Sequence, residues 1–233
     1  MTTVAQVKKI VKPLLERNND LGLVGRLVVV KPVHHLVSGI YIDRSLDPTI
    51  FTPTWFVTFV FEKGAQFGLN WGIRLYNKAH GPWEFANPAT AEVMAEEIER
   101  EALPLLRPLQ SIDDVLGLIA SFSERYHSWT PLEHFPLRRI VVDVARGDLT
   151  SARALLDRFL LHRDGWLRSS MWREEFIEVV EPLTEPLLAN DVAALAQILH
   201  DWEATSVKKL KLEKFWEPTP FPLEKLGDRA EQP

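Results

Sequence analysis

The stretch that decides the fold is Trp55-Phe56-Val57-Thr58-Phe59-Val60-Phe61. Aromatic and β-branched residues dominate it, as is typical of strands. Its apolar residues fall on both faces of a two-residue period, and Thr58 is the one interruption. A strand that is apolar on both faces is usually covered on both faces. We therefore predict a central strand here.

Three further strands are predicted around it, over residues 23–31, 33–43 and 67–76. The first two are rich in valine and isoleucine and are separated by Pro32. The last alternates between apolar and polar residues, which places Asn70, Arg74 and Tyr76 together on its open face. Because no helical pattern lies between these four strands, we predict a mainly antiparallel sheet.

An amphipathic helix precedes the sheet. Apolar residues recur at three- and four-residue spacing from Val4 to Leu15, so this helix can cover one face of the sheet. Pro13 lies inside the pattern and should kink or split the helix.

The chain from residue 87 onward has helical periodicity. Asn87-Pro88 is a start signal for the first helix, and Ser111 is one for the next. Residues 148–156 and 191–199 share one pattern, an acid followed by apolar positions one, four, seven and eight residues later. Each is preceded by another apolar-periodic segment, so two tandem helical hairpins are predicted; a chance match of two amphipathic helices is the alternative.

These patterns predict an α+β protein. We place an N-terminal helix and a four-stranded sheet in residues 1–86 and a helical region packed on it in residues 87–216, together forming one domain. Residues 217–233 are predicted to be an extended tail, ordered only if its aromatic residues dock. A basic cluster just before the tail is interpreted as the exposed face of a last helix, with a docking helix for an anionic surface as the alternative; its members are Lys208, Lys209, Lys211 and Lys214.

Composition excludes several classes. The chain has 233 residues, of which 46% are hydrophobic and 25% charged, so it is neither disordered nor collagen-like. It has no cysteine, which excludes disulfides, thiol nucleophiles, iron–sulfur clusters and cysteine-bound zinc. No stretch reaches the roughly 20 apolar residues of a membrane span, and residues 1–13 lack the apolar run of a secretory signal. We expect a cytoplasmic protein.

Charge is unevenly distributed along the chain. Residues 1–81 hold 10 basic and 5 acidic side chains, whereas residues 82–200 hold 11 basic and 20 acidic ones. The basic first part could attract nucleic acid or an acidic protein. The alternative, which we favour, is that oppositely charged parts of the chain complement each other within one molecule.

Catalytic signatures are scarce. The chain has no glycine-rich phosphate loop, no nucleophile elbow and no His-Glu-x-x-His. Glu124 and His127 have helical spacing, but a carboxylate-bridged di-iron site needs a second such pair. Four glutamates at 4-3-4 spacing are interpreted as a solvated helix face; they are Glu174, Glu178, Glu181 and Glu185. We therefore assign no catalytic residue, cofactor or metal.

His34 and His35 are the remaining candidates for chemistry. They are adjacent on a predicted strand, so their side chains point to opposite faces and cannot share one metal ion. One of them could act as a base on the open sheet face, with Arg74 holding an anionic substrate. A hydrogen-bonded structural histidine is the more common role.

Part of the sheet region resembles uncharacterised bacterial α+β proteins with a helical C-terminal half. The resemblance lies in Lys31-Pro32-Val33-His34-His35-Leu36-Val37-Ser38-Gly39-Ile40-Tyr41-Ile42, then Trp55-Phe56, then Gly72-Ile73-Arg74-Leu75. Such families include domains of unknown function and proteins of the toxin–immunity kind. The resemblance implies a helper or binding role and supplies no catalytic residue.

The function that we predict is a non-enzymatic protein-binding module, such as an immunity-type or adaptor protein. Its candidate contact residues are His34, His35, Asn70, Arg74 and Tyr76. Two alternatives stay open: a small-molecule enzyme that uses one of the two histidines with Arg74, and a weak nucleic-acid binder that uses the basic N-terminal part.

Overall fold

The computed structural model describes residues 3–45, 47–62, 71–77, 81–126, 136–168, 173 and 176–226. The chain divides into two units, each made of segments that are distant in sequence. The first unit comprises Met1–Phe59, Phe67–Ser111 and Lys211–Glu217. The second comprises Val60–Gln66, Ile112–Leu210 and Pro218–Pro233. The helices between residue 87 and Ser111 therefore belong to the unit that contains the sheet, and the helices from Ile112 to Leu210 belong to the other unit.

The first unit contains an antiparallel sheet, which confirms the predicted α+β class. Its order is β1-β2-β3-β4-β5, with β6 beside β4. The prediction of four strands is wrong, since the part of the chain that the structure describes holds six. The strands are β1 (Leu21–Val24), β2 (Leu27–Val30), β3 (Leu36–Arg44), β4 (Ile50–Phe59), β5 (Trp71–Arg74) and β6 (Trp83–Glu84).

One predicted strand, residues 23–31, is a hairpin. Val24 pairs with Leu27, so the two strands are joined by Gly25 and Arg26 alone. Gly25 has φ +60, whereas φ of Arg26 is negative. Glycine at the first position of a two-residue turn is typical of a type II′ hairpin, whose twist matches that of the strands. Because apolar, valine-rich residues flank the turn on both sides, the sequence pattern predicts one continuous strand here.

β4 is a central strand, as predicted. It pairs with β3 on one side and with β5 and β6 on the other. Trp55 is 3% exposed and Phe56, on the opposite face, is 0% exposed. Both faces of this strand are therefore buried, which confirms the prediction made from its two-sided apolar pattern.

The first unit also contains the N-terminal helices and the first helices that follow residue 87. The N-terminal helix is split into α1 (Val4–Ile10) and α2 (Lys12–Arg17), as Pro13 predicts. Both pack on α3 (Thr90–Glu97), which continues through a π-helical turn (Ile98–Ala102) into α4 (Leu103–Leu106). Asn87 is not the N-cap of α3, because that position is taken by Ala89. Asn87 Oδ1 accepts the backbone N–H of Ala89 at 3.0 Å, in the turn that precedes the helix.

The second unit is helical. It contains α5 (Ile112–Tyr126), α6 (Pro136–Arg146), α7 (Leu149–Leu161) and α8 (Arg163–Arg168). A π-helical turn (Phe176–Val180) leads into α9 (Glu181–Ala189), which is followed by α10 (Val192–Leu210) and a 3-10 turn (Pro222–Glu224). No described helix is both long enough and apolar enough to cross a membrane.

The two predicted helical hairpins are present, as α6–α7 and α9–α10. The acid shared by the two sequence segments has the same role in both. Asp148 Oδ1 accepts the backbone N–H of Ser151 at 3.1 Å, and Asp191 Oδ1 accepts that of Ala194 at 2.9 Å. Each acid therefore satisfies a free N–H at the start of its hairpin's second helix.

The basic cluster is not one helix face, which corrects the prediction. α10 ends at Leu210, and Lys211 has φ +59, a left-handed conformation that stops the helix. Leu212 is fully buried, and the chain then turns through Lys214 and Phe215 within the first unit. Within the described part of the predicted tail, residues 217–226, two apolar side chains are docked: Phe221 and Leu223 are buried at 0% exposure in the second unit.

Candidate functional site

The two histidines lie in the turn between β2 and β3, not on a strand. The prediction placed them on a strand that starts at Val33, but β3 begins at Leu36. His34 Nδ1 donates a hydrogen bond to the backbone oxygen of Glu217, 2.8 Å away. His34 therefore holds the segment around Glu217, which is the structural role named as the more common one. His35 is half-buried in the same turn.

Arg74 and Tyr76 lie at the other side of the sheet. Arg74 is opposite Thr54 of β4, whereas Leu36, next to the histidines, is opposite Phe59. Five residues of an extended strand cover roughly 17 Å, and two strand spacings add to that. The register therefore does not bring the histidines and Arg74 together. Tyr76 is 68% exposed, and Asn70 lies outside the described residues.

A different group of residues forms an open cleft in the first unit, with a volume of about 360 Å³. Its residues come from the loop before β1, the end of the β1–β2 hairpin and the turn after α10. We call it the lysine cleft. It is lined by Asn19, Asp20, Lys31, Pro32, Lys214, Phe215, Trp216 and Glu217.

Backbone hydrogen bonds fix one wall of the lysine cleft. The Val33 N–H donates to the Phe215 oxygen at 2.8 Å, and the Glu217 N–H donates to the Val33 oxygen at 2.9 Å. Together they form a parallel bridge between Val33 and Trp216. With the His34 bond, three contacts hold this turn against the end of the hairpin.

Phe215 is seated on a glycine of β1. A Cβ atom built on Gly22 would lie 2.3 Å from Cζ of the Phe215 ring, closer than any side chain allows. The ring can therefore reach the strand only because residue 22 has no side chain. Phe215 remains half-exposed, so the ring also faces the cleft.

Two lysine side chains converge on the Phe215 ring. Lys214 Nζ lies 4.4 Å from the ring centroid and Lys31 Nζ lies 5.7 Å from it. Both distances are within the range of a cation–π contact. Lys214 Nζ also donates to the backbone oxygen of Leu23 at 3.3 Å. The ring thus positions two ammonium groups at the mouth of an open cleft.

Asp20 is neutralised by an arginine below the cleft. Arg107 Nε and Nη2 donate to its two carboxylate oxygens at 2.8 and 2.9 Å. These hydrogen bonds from Arg107 lower the pKa of Asp20 below its ordinary value, and the charge of Arg107 adds to the effect. A carboxylate with a lowered pKa is a poor proton acceptor near neutral pH. Asp20 therefore serves as an anchor.

The anchor extends into the helices. Arg107 Nη2 also donates to Asn18 Oδ1 at 2.6 Å, and Asn18 Nδ2 donates to Glu99 at 2.7 Å. Arg17 Nε lies 3.3 Å from the same glutamate. This chain of charge-assisted contacts ties the loop before β1 to α4 and the π-helical turn.

The lysine cleft presents groups that can bind an anionic or apolar ligand. Asp20 is held by Arg107, which leaves two ammonium groups, one exposed carboxylate at Glu217, and two aromatic side chains. Within the described ranges, no group of three or more His, Asp or Glu residues is placed to hold a metal ion. Glu174 and His127, which the sequence raised as candidates, lie outside those ranges.

Sequence reasoning did not find this cleft. The sequence patterns predict a helix for Lys214 and Phe215 and a strand for Lys31. The useful signals were Gly22 in an otherwise apolar strand, which indicates a close approach, and the Lys-x-x-Lys-Phe-Trp-Glu-Pro run, which is poorly suited to a buried helix. The cleft forms only where β1 and the turn after α10 come into contact, and these segments are about 190 residues apart in the sequence. A local sequence pattern cannot predict such a contact.

Comparison with known proteins gives no relative: no family model matches the chain, and neither a curated protein nor a solved structure is similar to it.

Proposed function

We propose that this chain is a protein-binding module that makes and breaks no covalent bonds, and that it binds an acidic segment of its partner in the lysine cleft. The observation that carries the proposal is the Phe215 ring in an open cleft, with the ammonium groups of Lys31 and Lys214 5.7 and 4.4 Å from its centroid. Carboxylate side chains of a partner can pair with these ammonium groups, and its apolar atoms can cover the ring.

Charge within the cleft supports an anionic ligand. The Asp20 carboxylate is paired with Arg107, and the other charged side chains of the lining are Lys31, Lys214 and Glu217. The charged side chains of the lining together with Arg107 carry a net charge of +1, whereas the whole chain has a net charge of −5. Local charge of this kind steers an acidic partner and selects against basic ones.

A protein suits the cleft better than nucleic acid does. Phosphate backbones are bound by many lysines and arginines spread along a surface. The first unit as a whole has 13 basic and 12 acidic side chains, because the acidic residues of 92–101 belong to it. The two ammonium groups beside the Phe215 ring can pair with one or two carboxylates of a polypeptide, which is a smaller site than a phosphate backbone needs.

The enzyme alternative has little support from the geometry. It requires one of the histidines to lie near Arg74, whereas the sheet register keeps them on different sides of β4. An adaptor or immunity-type protein, in contrast, needs only a surface that recognises its partner. We place this chain in that functional class.

The experiment is a selection from a phage-displayed library of random dodecapeptides on the immobilised full chain. We expect enriched peptides to contain two or more Asp or Glu beside an apolar residue. A Lys31→Ala/Lys214→Ala chain should not enrich them. The matched control is Lys8→Ala/Lys9→Ala, which removes two exposed lysines of α1 and should enrich the same peptides.

Two results would overturn the proposal. One is the absence of any enriched peptide family with the wild-type chain. The other is enrichment of the same acidic peptides by the chain that lacks both cleft lysines, because binding would then not involve the lysine cleft.

A further inference from the structure

The outer edge of β1 continues the lysine cleft. β1 is the last strand on its side of the sheet, and no other strand in the described ranges pairs with its outer edge. An edge strand presents backbone N–H and C=O groups that can pair with another chain. Which of its groups point outward follows from the hairpin register.

In a two-residue hairpin the pair next to the turn exchanges both hydrogen bonds, and bonded and non-bonded pairs then alternate. Val24 and Leu27 are that first pair, so Leu23 and Leu21 belong to the non-bonded pairs. Their backbone groups point away from β2. Two contacts agree with this parity: Lys214 Nζ reaches the Leu23 oxygen, and the Leu21 N–H donates to Asn18.

The edge is therefore open at two backbone groups. The Leu21 oxygen and the Leu23 N–H face outward, and no hydrogen bond joins either of them to another described residue. The third outward group, the Leu23 oxygen, accepts a hydrogen bond from the ammonium of Lys214. Lys214 is exposed and Leu23 and Val24 are half-buried, so the edge is accessible at Leu23, whereas Leu21 is 6% exposed.

Lys214 thus links the edge to the cleft. The same ammonium lies 4.4 Å from the centroid of the Phe215 ring and 3.3 Å from the Leu23 oxygen. A lysine at a sheet edge normally discourages strand pairing. Here a carboxylate could draw the ammonium away and leave the Leu23 oxygen to accept a backbone N–H.

We infer that an extended acidic segment of a partner protein adds as a strand to the outer edge of β1. Its backbone pairs with the N–H and the oxygen of Leu23 and with the oxygen of Leu21, and one of its carboxylates pairs with Lys214. Main-chain hydrogen bonds then supply affinity, and the cleft lysines supply the preference for acidic sequence. This inference rests on the proposed function and specifies how the partner binds.

The test uses the strongest peptide from the dodecapeptide selection and amide hydrogen exchange of the full chain by NMR. On saturation with the peptide we expect exchange at the Leu23 amide to slow by about tenfold or more, because this amide gains an acceptor. The Gly22 amide is the internal control, since it points toward Val29 of β2 and should change little.

N-methylated peptides provide the second arm. In an added strand, every second backbone N–H of the peptide points toward β1. Methylation of these nitrogens should weaken binding by about tenfold or more, whereas methylation of the nitrogens between them should have little effect. Side chains are identical in the two sets, so the difference reports backbone pairing alone.

The outcomes separate the two proposals. Failure to select any acidic peptide overturns both. An acidic peptide that binds through Lys31 and Lys214, yet leaves Leu23 exchange unchanged and tolerates methylation at both alternations, overturns strand addition and leaves the proposed function standing.

Discussion

Gly22 is the residue on which the lysine cleft depends most. The Phe215 ring occupies the space that a side chain at position 22 would need. We expect Gly22→Ala to displace the ring, to weaken binding of the selected acidic peptide by about tenfold, and to lower the free energy of unfolding by about 1–3 kcal/mol through overpacking. Urea denaturation and peptide titration measure the two effects.

The matched control is Gly117→Ala in α5. A Cβ atom there meets no neighbour within 4 Å, and the residue is exposed, so this change should leave peptide binding unchanged and stabilise the helix by about 0.5–1 kcal/mol. Unaltered peptide binding by Gly22→Ala would show that the position of Phe215 does not matter for recognition.

Asp20 should make stability dependent on pH. Its pKa is lowered below 3.8 by Arg107, so the carboxylate stabilises the fold above about pH 4, and this contribution is lost as the pH falls through the lowered pKa. Because Asp20 and Arg107 are partly exposed, we expect Asp20→Asn to cost about 1 kcal/mol at pH 7. The difference from wild type should vanish in strong acid.

Urea denaturation across pH 2–7 measures this effect. Asp157→Asn, at an exposed position of α7, is the control and should stay within about 0.5 kcal/mol of wild type at each pH. A constant difference between wild type and Asp20→Asn over the whole range would contradict an ionic contribution of Asp20.

At the scale of elements, the C-terminal segment is part of the second unit's core. The Phe221 ring centroid lies 5.4 Å from that of Phe61 and 4.8 Å from that of His200. Glu224 Oε1 accepts from the Phe221 N–H at 2.6 Å and from His200 Nε2 at 2.9 Å. This segment is therefore held both by aromatic packing and by one shared carboxylate.

Phe221→Ala should therefore destabilise the protein by about 3–5 kcal/mol, the usual cost of removing a fully buried phenylalanine. Thermal unfolding followed by circular dichroism measures it. Lys225→Ala, an exposed change one turn later, is the control and should have little effect. Equal stability of the two variants would mean that the segment is not docked.

Elements with strong local patterns could be predicted from the sequence. β4, the split N-terminal helix and the two hairpins follow from periodicity, from Pro13 and from the capping acids Asp148 and Asp191. The hairpin at Gly25 was missed because valine continues on both sides of it. β6 could not be predicted, because a strand of two residues is too short to show an alternation of apolar and polar residues.

At the scale of the whole molecule, charge counted along the sequence is a poor guide to surfaces. The first 81 residues carry an excess of basic side chains, but the first unit is almost balanced because residues 92–101 fold with it. Arg17 pairs with Glu92 and Glu99 there. This agrees with the favoured interpretation, in which oppositely charged parts of the chain complement each other.

The candidate site could not be predicted for the same reason. The lysine cleft joins residues 19–32 to residues 214–217, and the contact exists only once the turn after α10 packs on the hairpin. Residues predicted from one strand's alternation, Arg74 and Tyr76, lie on the opposite side of β4. A site built from distant segments leaves only indirect traces in sequence, such as a glycine where a large residue was expected.

The most direct test of the account is a double-mutant cycle between the cleft lysines and the carboxylates of the selected peptide. Wild type and Lys31→Ala/Lys214→Ala are each titrated calorimetrically with the peptide and with its Glu→Gln, Asp→Asn form. We predict that neutralising the peptide weakens wild-type binding by about tenfold or more and changes binding to the double variant by less than about threefold. An equal loss with both chains would contradict recognition of an acidic partner by these two lysines.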